Sequence, residues 1–521
     1  MMAPPTQASQ SGTAERQKSL KIPLLNKQKA EISVMAPPTR PSQPRTAERQ
    51  KSVKKPLLNK IRDRSRHITR EEGRIQATWV YISTCTAVMG TTSLGFWMGY
   101  TSPVQQAIIE SLNLTVSEFS LFGSLVTVGA MLGSAISGKI GDWLGRKGAM
   151  VAACLPMIVG SALIAFAESR VPLYIGRFLT GTGGGIVSFA VPVYIAEIAP
   201  RHLRGTLGSM QQFATTVGIV LAYLGGLFFN WRYLAASGMI PCFLCFLGLT
   251  MIPESPRWLA SKEKDEELEA ALKKLRGSAY DVSHEIREMQ QMVEAAKLEP
   301  NAKFTDLFNK RLARPLLAGV GLQLLQQFSG INGVMLYSSA IFSSAGISNA
   351  NAASLALGAL QVVMTLAAAG LMDKAGRRLL LMVSASGMAL SCFLVGFSFY
   401  LRTVLSQNYS SGMDIFIDIL ALASLLVYIA SFSLGVGPVP WIVLAEVFPA
   451  KVKGVAGSVA TLTNWSSAWL VTLTFNIIFQ WSSAGSFWIF ALVCALGVIF
   501  VALFVPETKG RTLEQIEASF R

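Results

Sequence analysis

Charge is scarce in this chain: only 15% of its 521 residues are Asp, Glu, Lys or Arg. A water-soluble protein of this length needs far more charged surface, so the composition excludes one and calls for a bilayer as solvent over much of the fold. Histidine is scarcer still. His67, His202 and His284 all fall outside the apolar stretches, so none offers a buried proton relay. The six cysteines (Cys85, Cys154, Cys242, Cys245, Cys392, Cys494) lie inside apolar runs and imply no disulfide framework. Cys242-Phe243-Leu244-Cys245 has redox spacing, but apolar burial raises thiol pKa and suppresses reactivity, so these read as packing residues. No nucleophile–base pair, metal-ligand cluster or phosphate-cradling loop appears. The chain therefore reads as neither an enzyme nor a holder of a metal or cofactor. No charged-then-apolar secretory signal precedes the first apolar run, so that run should itself direct insertion.

What is present is hydrophobicity, at 51% of residues and a mean hydropathy of +0.44. The net charge of +16 resembles a nucleic-acid signal until it is located. Residues 1–76 hold 17 Lys and Arg against 6 Asp and Glu, a net of +11, so basic character belongs to the tail. A membrane-surface or topogenic role fits that placement, and nucleic-acid binding does not. The tail is polar and Pro/Ser/Gln-rich, and should be disordered because it cannot offset its ordering entropy. Within it, Met2 through Lys27 repeats at Met35 through Lys60. Two copies without a buried face cannot make a solenoid.

Twelve apolar stretches follow, each near the ~20 residues that cross a bilayer. They run over 77–99, 118–140, 148–167, 172–196, 206–229 and 231–252, then 314–345, 351–372, 379–401, 414–447, 453–480 and 485–505. Five segments result: a tail over 1–76, a six-helix bundle over 77–252, a charged helical linker over 253–313, a second bundle over 314–505, and a tail over 506–521. Loops after spans 2, 4, 8 and 10 carry Lys139, Arg146, Lys147, Arg201, Arg204, Lys374, Arg377, Arg378, Lys451 and Lys453. Those after spans 1, 7 and 11 carry none. The positive-inside rule then puts both termini and the linker in the cytoplasm, with the sequons at Asn113 and Asn408 on the other side.

Three motifs recur in the same order in each half. Gly141-Asp142-Trp143-Leu144-Gly145-Arg146-Lys147 returns as Met372-Asp373-Lys374-Ala375-Gly376-Arg377-Arg378. Glu197-Ile198-Ala199-Pro200 with Arg204 matches Glu446-Val447-Phe448-Pro449 with Lys453, and Pro253-Glu254-Ser255 matches Pro506-Glu507-Thr508. Such internal symmetry in a polytopic chain implies two halves that rock about a central site. With Gln326-Gln327-Phe328-Ser329-Gly330-Ile331-Asn332 and Gly435-Val436-Gly437-Pro438-Val439-Pro440-Trp441, the chain resembles the sugar porter family of the major facilitator superfamily. It looks most like the plant early-response-to-dehydration-type monosaccharide transporters. The resemblance implies an all-α membrane fold, two six-helix bundles around a sugar site near mid-membrane.

The chemistry of a neutral sugar asks for amides, which donate and accept as hydroxyls do, and for an aromatic platform. Gln326, Gln327 and Asn332 cluster at the start of span 7 with Tyr337 just beyond, and Ser329 through Gly333 should weaken the helix there. Interhelical glue is the plainer reading of such amides. By resemblance Gln212, Gln361, Trp441 and Asn464 complete the site. Gln361 departs from the Asn of relatives, and Trp465 reads equally as packing. Asp142, Arg146, Glu197, Arg204, Asp373, Arg377, Glu446 and Lys453 sit at cytoplasmic helix ends, where pairs across the bundles would bias the gate; topology alone is the alternative, above all for Lys147 and Arg378. Arg177, a mid-span cation, is functional or tightly paired. Proton-driven relatives carry Asp where Thr101 follows Gly99-Tyr100, and Asp414 and Asp418 lie at a span end, so facilitated diffusion is expected over proton symport. A non-transporting sensor on the same fold would need a signalling module, which the short segment over 506–521 does not offer. The dileucines Leu24-Leu25 and Leu57-Leu58 could engage sorting adaptors, favouring the vacuolar over the plasma membrane. The expected protein is a monomeric monosaccharide carrier of the glucose or fructose type.

Overall fold

The computed structural model describes residues 77–200, 203–278, 280–298, 310–405, 411–448 and 450–509, and all regular structure among them is helical. The basic tail with both dileucine pairs, the sequon at Asn408 and the end of the chain lie outside the described residues, as do the side chains of Arg204, Asp373 and Lys453.

The first half comprises α1 (Thr78–Leu112), α2 (Val116–Ala165), α3 (Arg170–Ile198), α4 (Arg204–Gly225), and α5 (Trp231–Ser237) running on into α6 (Met239–Met251). Three short helices link the halves: α7 (Pro256–Ser261), α8 (Asp265–Arg276) and α9 (Ser283–Leu298). The second half begins with α10 (Lys310–Phe328), α11 (Ile331–Leu336) and α12 (Ser338–Ser344). It continues through α13 (Ala350–Ala375), α14 (Arg377–Val404), α15 (Ser411–Leu434), α16 (Val439–Val447), α17 (Ala450–Trp481) and α18 (Ser483–Phe504).

Among the described residues, seven helical stretches are long and apolar enough to cross a membrane. One of these, α2, has 50 residues, and a straight helix of that length would reach about 75 Å, far beyond a bilayer core. It is two helices joined at Gly145, where φ is 86° and ψ 172°. The other four passes are α1, α4, α10 to α12, and α17. They fall short of uniform apolarity because they carry polar side chains buried in the protein, among them Gln323, Gln326 and Gln327 of α10 and Asn464 and Ser467 of α17. Twelve passes in two sets of six result, the major facilitator architecture with a helical linker.

Helix α1 extends to Leu112, well past residue 99 where its apolar run fades. Its extra turns hold polar residues that find partners: Thr101 Oγ1 accepts from Arg177, and Ser102 Oγ lies 2.8 Å from Ser338 Oγ. Exposed Asn113, with a left-handed φ of 50°, ends the helix by donating its N–H to Ile109 O. Helix α2 starts on a reciprocal capping box between Thr115 and Glu118. The glycine run of α3 is a packing surface: a Cβ on Gly181 or Gly185 would stand 2.2 Å from a carbonyl oxygen of α2. All six cysteines are free thiols and five are buried, with Cys242 Sγ donating to Cys154 O at 3.5 Å.

The linker has a small apolar core of its own, centred on Leu259, Leu268 and Leu272. Arg276, 3% exposed, fastens it to the first half. Its Nη1 donates to Ile198 O at the end of α3 at 2.8 Å, while Nη2 and Nε donate to the Glu285 carboxylate at 2.7 and 3.1 Å. Lys274 Nζ likewise reaches Met251 O at 2.8 Å. These bonds satisfy carbonyls that the helix ends leave open.

Replacing Gly145 by Ala forces a side chain into a backbone region reserved for glycine, with its Cβ 2.2 Å from Glu254 Oε2. The expected cost is about 1–3 kcal/mol, read as a lowered melting temperature of the purified protein. Gly138→Ala, whose Cβ meets nothing within 4 Å, should leave the melting temperature unchanged or raise it.

Candidate functional site

Two breaks in neighbouring passes build the candidate site. Between α10 and α11 the helix stops at Ser329-Gly330, with Gly330 at a φ of 95°. Ser329 O, released from the helical ladder, is taken up by Tyr428 Oη at 3.0 Å. Between α15 and α16 the sequence Gly435-Val436-Gly437-Pro438-Val439-Pro440 cannot sustain a helix, because Pro438 and Pro440 bring no N–H. The carbonyl of Val436 would have bonded residue 440, so it is free. Gln326 Nε2 donates to Val436 O at 3.0 Å and to Gly437 O at 2.6 Å. One break thus orients the amide that stands beside the other.

From that anchor a chain of amides runs through the second half. Asn464 Nδ2 donates to Gln326 Oε1 and to Gln323 Oε1, both at 2.8 Å. Gln327 Nε2 donates to Asn464 Oδ1 at 3.2 Å, and Asn332 Nδ2 donates to Gln327 Oε1 at 2.6 Å. The five amides are at most 7% exposed. Gln326, Gln327, Asn332 and Asn464, all singled out from sequence, are brought together. Gln323 was missed, although its place one turn before Gln326 and Gln327 on the same helix puts it in line with them. Its Nε2 is buried without a partner, as is Gln361 Oε1 on α13: one donor and one acceptor remain open. Gln361 is 4% exposed and Gln212 half-buried, and no bond of the network reaches either. Trp441 is 38% exposed and no bond of the network reaches it, while Trp465 is half-buried against the core.

Tyr337 is fully buried, stacked on Phe475 with ring centroids 5.5 Å apart, and its hydroxyl donates to Thr472 O at 3.3 Å. Its hydroxyl also faces Gly123 of α2, where a Cβ would stand 2.5 Å from it, within a set of contacts between the halves on the side remote from the linker. There Ser102 meets Ser338, Tyr223 Oη donates to Met335 O at 2.6 Å, and Asn476 Nδ2 donates to Ser120 Oγ at 3.0 Å. Arg177 lies near this layer. It is 0% exposed, donates to Trp97 O at 2.8 Å and to Thr101 Oγ1, and its guanidinium carbon sits 5.1 Å from the Phe122 ring centre, 5.9 Å from that of Tyr100 and 6.0 Å from that of Trp97. Hydroxyl, carbonyl and three ring faces thus surround a cation that would ordinarily ask for a carboxylate.

On the linker side, the three repeated motifs converge in each half. Gly145 and Gly376 turn the chain so that the following N–H groups point outward, and a carboxylate caps them. Glu254 accepts from the N–H groups of Arg146 and Lys147, and Glu507 from those of Arg377 and Arg378. Arg146 then reaches Glu197 through Nε at 3.1 Å and Nη2 at 3.2 Å, and Asp142 through Nη1 at 3.1 Å. Arg377 reaches Glu446 at 3.5 Å. These pairs join helices within one half; pairs between the halves are expected for the state in which the linker side is closed. Lys147 and Arg378 have a structural task besides their charge: they donate to Ile252 O and Ala502 O, at the ends of α6 and α18. Asp418 pairs with Arg402 at 2.8 Å at the opposite side, and Asp414 is exposed.

The two capping carboxylates differ. Burial pushes the Glu254 carboxyl above its usual range, against four favourable contacts from Ser255, Lys147 and Arg146. Burial also acts on Glu507, but more weakly, and backbone N–H groups of Lys509, Arg377, Arg378 and Thr508 together hold it below the usual range.

Residues 79–520 match the family model described as "Sugar (and other) transporter". The chain is 49% identical over 433 residues to Sugar transporter ERD6-like 6 of Arabidopsis thaliana, covering 83% of this chain and 88% of that one. It is 47% identical to Sugar transporter ERD6-like 7 of the same plant, over 85% of this chain and 94% of that one. Its fold is similar to the inward-open xylose transporter XylE of E. coli, with a TM-score of 0.72 and 28% identity over 85% of this chain and all of that one. The proton:xylose symporter XylE bound to 6-bromo-6-deoxy-D-glucose gives a TM-score of 0.70, again at 28% identity, over 85% of this chain and 99% of that one.

The opposite shifts of Glu254 and Glu507 give opposite responses to acid. Glu507, with its folded pKa lowered, stabilises above the carboxylate range, and that stabilisation is lost as pH falls through it. Glu254, with its folded pKa raised, favours the folded state on the acid side and loses that advantage as pH rises. From about pH 7 to about pH 4, the melting-temperature advantage of the unsubstituted protein over Glu507→Gln should therefore shrink. Over the same interval its balance against Glu254→Gln should move in favour of the unsubstituted protein.

Proposed function

The chain belongs to the sugar (and other) transporter family, and on that premise we propose that it carries a monosaccharide of the glucose or fructose type across a membrane by alternating access. The single observation that carries this reading is the buried amide network of Gln326, Gln327, Asn332 and Asn464 beside two helix breaks. Amides there offer both donors and acceptors to hydroxyls, and the open donor of Gln323 and open acceptor of Gln361 give a sugar further partners. Gln212 and Trp441 join them when sugar is bound, Trp441 as the aromatic platform. The segments 77–252 and 314–505 move as the two rocking units, with both termini and the linker cytoplasmic.

In this mechanism the two sides of the membrane close by different means. Away from the linker, hydroxyls and Tyr337 seal the halves together, and parting them would expose the site there. On the linker side, the Arg146 and Arg377 clusters stiffen each half, and with Arg204, Asp373 and Lys453 they act as the latch when that side closes. Several exposed pairs, each worth ~0.2–1 kcal/mol, are enough to shift an equilibrium between states a few kcal/mol apart.

Facilitated diffusion is favoured over proton symport because Arg177 bonds to Thr101, a hydroxyl that does not titrate near neutral pH. Without a carboxylate at that contact, protonation has no handle on the state of the cation. The dileucines of the tail support residence in the vacuolar membrane, with sorting adaptors as partners there; the plasma membrane is the other candidate. A monomer suffices, since one chain supplies both halves of the site.

Uptake of labelled glucose and fructose into proteoliposomes tests this reading. The unsubstituted protein should accumulate sugar to the same level with and without an imposed pH gradient. Gln326→Ala combined with Gln327→Ala should abolish uptake at unchanged reconstituted amount, and normal uptake by that variant would sink the site assignment. A sugar-evoked inward current would overturn facilitated diffusion.

A further inference from the structure

At the end of the second half remote from the linker, a cavity of 430 Å3 opens among the ends of α12, α14, α17 and α18. It lies far from the amide network, on the flank formed by the packed pair α14 and α18. Four aromatic residues line it, Phe399, Tyr400, Trp481 and Trp488. Tyr400 and Trp488 meet at an angle of 43° with ring centres 5.8 Å apart, and Trp481 is 78% exposed. Gly396 makes room for Trp488, since a Cβ there would stand 2.5 Å from the indole.

The same cavity holds a cation with unused donors. Arg402 bonds Asp418 at 2.8 Å and Ala345 O, both through Nη1, and its side chain is 36% exposed. A guanidinium has five N–H donors, and among the described residues those on Nε and Nη2 have no partner. Ser483 and Ala484, the first residues of the 22-residue α18, also line the cavity. Their N–H groups have no partner in the helix and add to a site for negative charge. Below the aromatic rim, exposed apolar side chains descend both helices at helical spacing: Phe397 and Phe393 on α14, Leu492 and Leu496 on α18.

We propose that this cavity is a binding site for a zwitterionic phospholipid with a quaternary ammonium headgroup. The phosphate sits on Arg402 and the start of α18, the ammonium faces the rings of Tyr400, Trp481 and Trp488, and the acyl chains follow the two apolar stripes. The chemistry selects this occupant from several. Asp418 neutralises part of the guanidinium charge, which disfavours a purely anionic headgroup, and aromatic faces attract a cation that keeps no N–H donors. The depth fits as well, since Trp and Tyr concentrate where hydrocarbon meets headgroup. A free phosphate ester would leave the stripes without a function.

Native mass spectrometry of the full-length purified protein, after exchange into detergent containing dioleoylphosphatidylcholine, reads retention directly. The unsubstituted protein should retain one such lipid, and Trp481→Leu should reduce its retention by about threefold, a loss typical of an exposed cation–π contact. Arg402→Gln should do the same, but it also breaks the Asp418 pair, so Trp481→Leu, an exposed side chain, decides if that variant fails to fold. Dioleoylphosphatidylglycerol should be retained about tenfold less well, and soluble phosphocholine should not displace the bound lipid. Equal retention by Trp481→Leu, equal retention of the anionic lipid, or displacement by soluble phosphocholine would each overturn the proposal.

Discussion

Inside a bilayer a backbone N–H or C=O finds no water, so every break in a helix must be repaired by the protein itself. This chain breaks two of its passes, at Gly330 and in the Gly435–Pro440 stretch, and turns between passes at Gly145 and Gly376, and each repair determines what lies beside it. At Gly145 and Gly376 a glutamate supplies the missing acceptor. At Ser329 a tyrosine hydroxyl does so as donor, and at Val436 and Gly437 the donor is Gln326. The last repair matters most, because the amide that mends one break is fixed as the first member of a network that reaches Asn464, Gln327 and Asn332. In the proposed mechanism, repair and recognition share the same side chains.

The duplicated motifs look alike in sequence and differ in the contact each arginine makes with its glutamate. In the first half Arg146 grips Glu197 through two nitrogens and Asp142 through a third, and Trp258 Nε1 of the linker bonds Asp142 O at 3.1 Å. In the second half the corresponding Arg377–Glu446 contact is a single bond at 3.5 Å. The linker helices fasten by Arg276 and Lys274 to the first half. A first half bearing the linker and a second half holding the amide network would divide the labour between the two units proposed to rock.

Much of the fold was legible because its causes are local. Apolar length predicts the passes, the repeated motifs predict two halves, and the weak stretch Ser329–Gly333 marks the interruption after α10. Helix α1 outran its apolar signal because Thr101 and Ser102 find partners on α3 and α12, a tertiary fact that composition cannot carry. The site was legible where residues cluster along one helix, as with Gln326, Gln327 and Asn332. Gln323 escaped because an isolated amide one turn away carries no pattern until Asn464 is seen to bond it. Lys147 and Arg378 read as topology signals, and only their contacts with distant carbonyls reveal the second role. The repeated charged string, so conspicuous in sequence, caps helices and joins them within each half, while the unrepeated amides between its copies are the ones proposed for recognition.

The central claim is that the amide network recognises the sugar, and equilibrium binding to Asn464→Ala tests it most directly. Asn464 bonds Gln323, Gln326 and Gln327, so its loss disorganises donors and acceptors without touching the helix breaks. Calorimetric titration of the purified protein with its transported monosaccharide should show binding that weakens by about tenfold or more in the variant, the equivalent of roughly one or more buried hydrogen bonds, with the melting temperature largely kept. Unchanged sugar affinity in a folded Asn464→Ala protein would contradict the account.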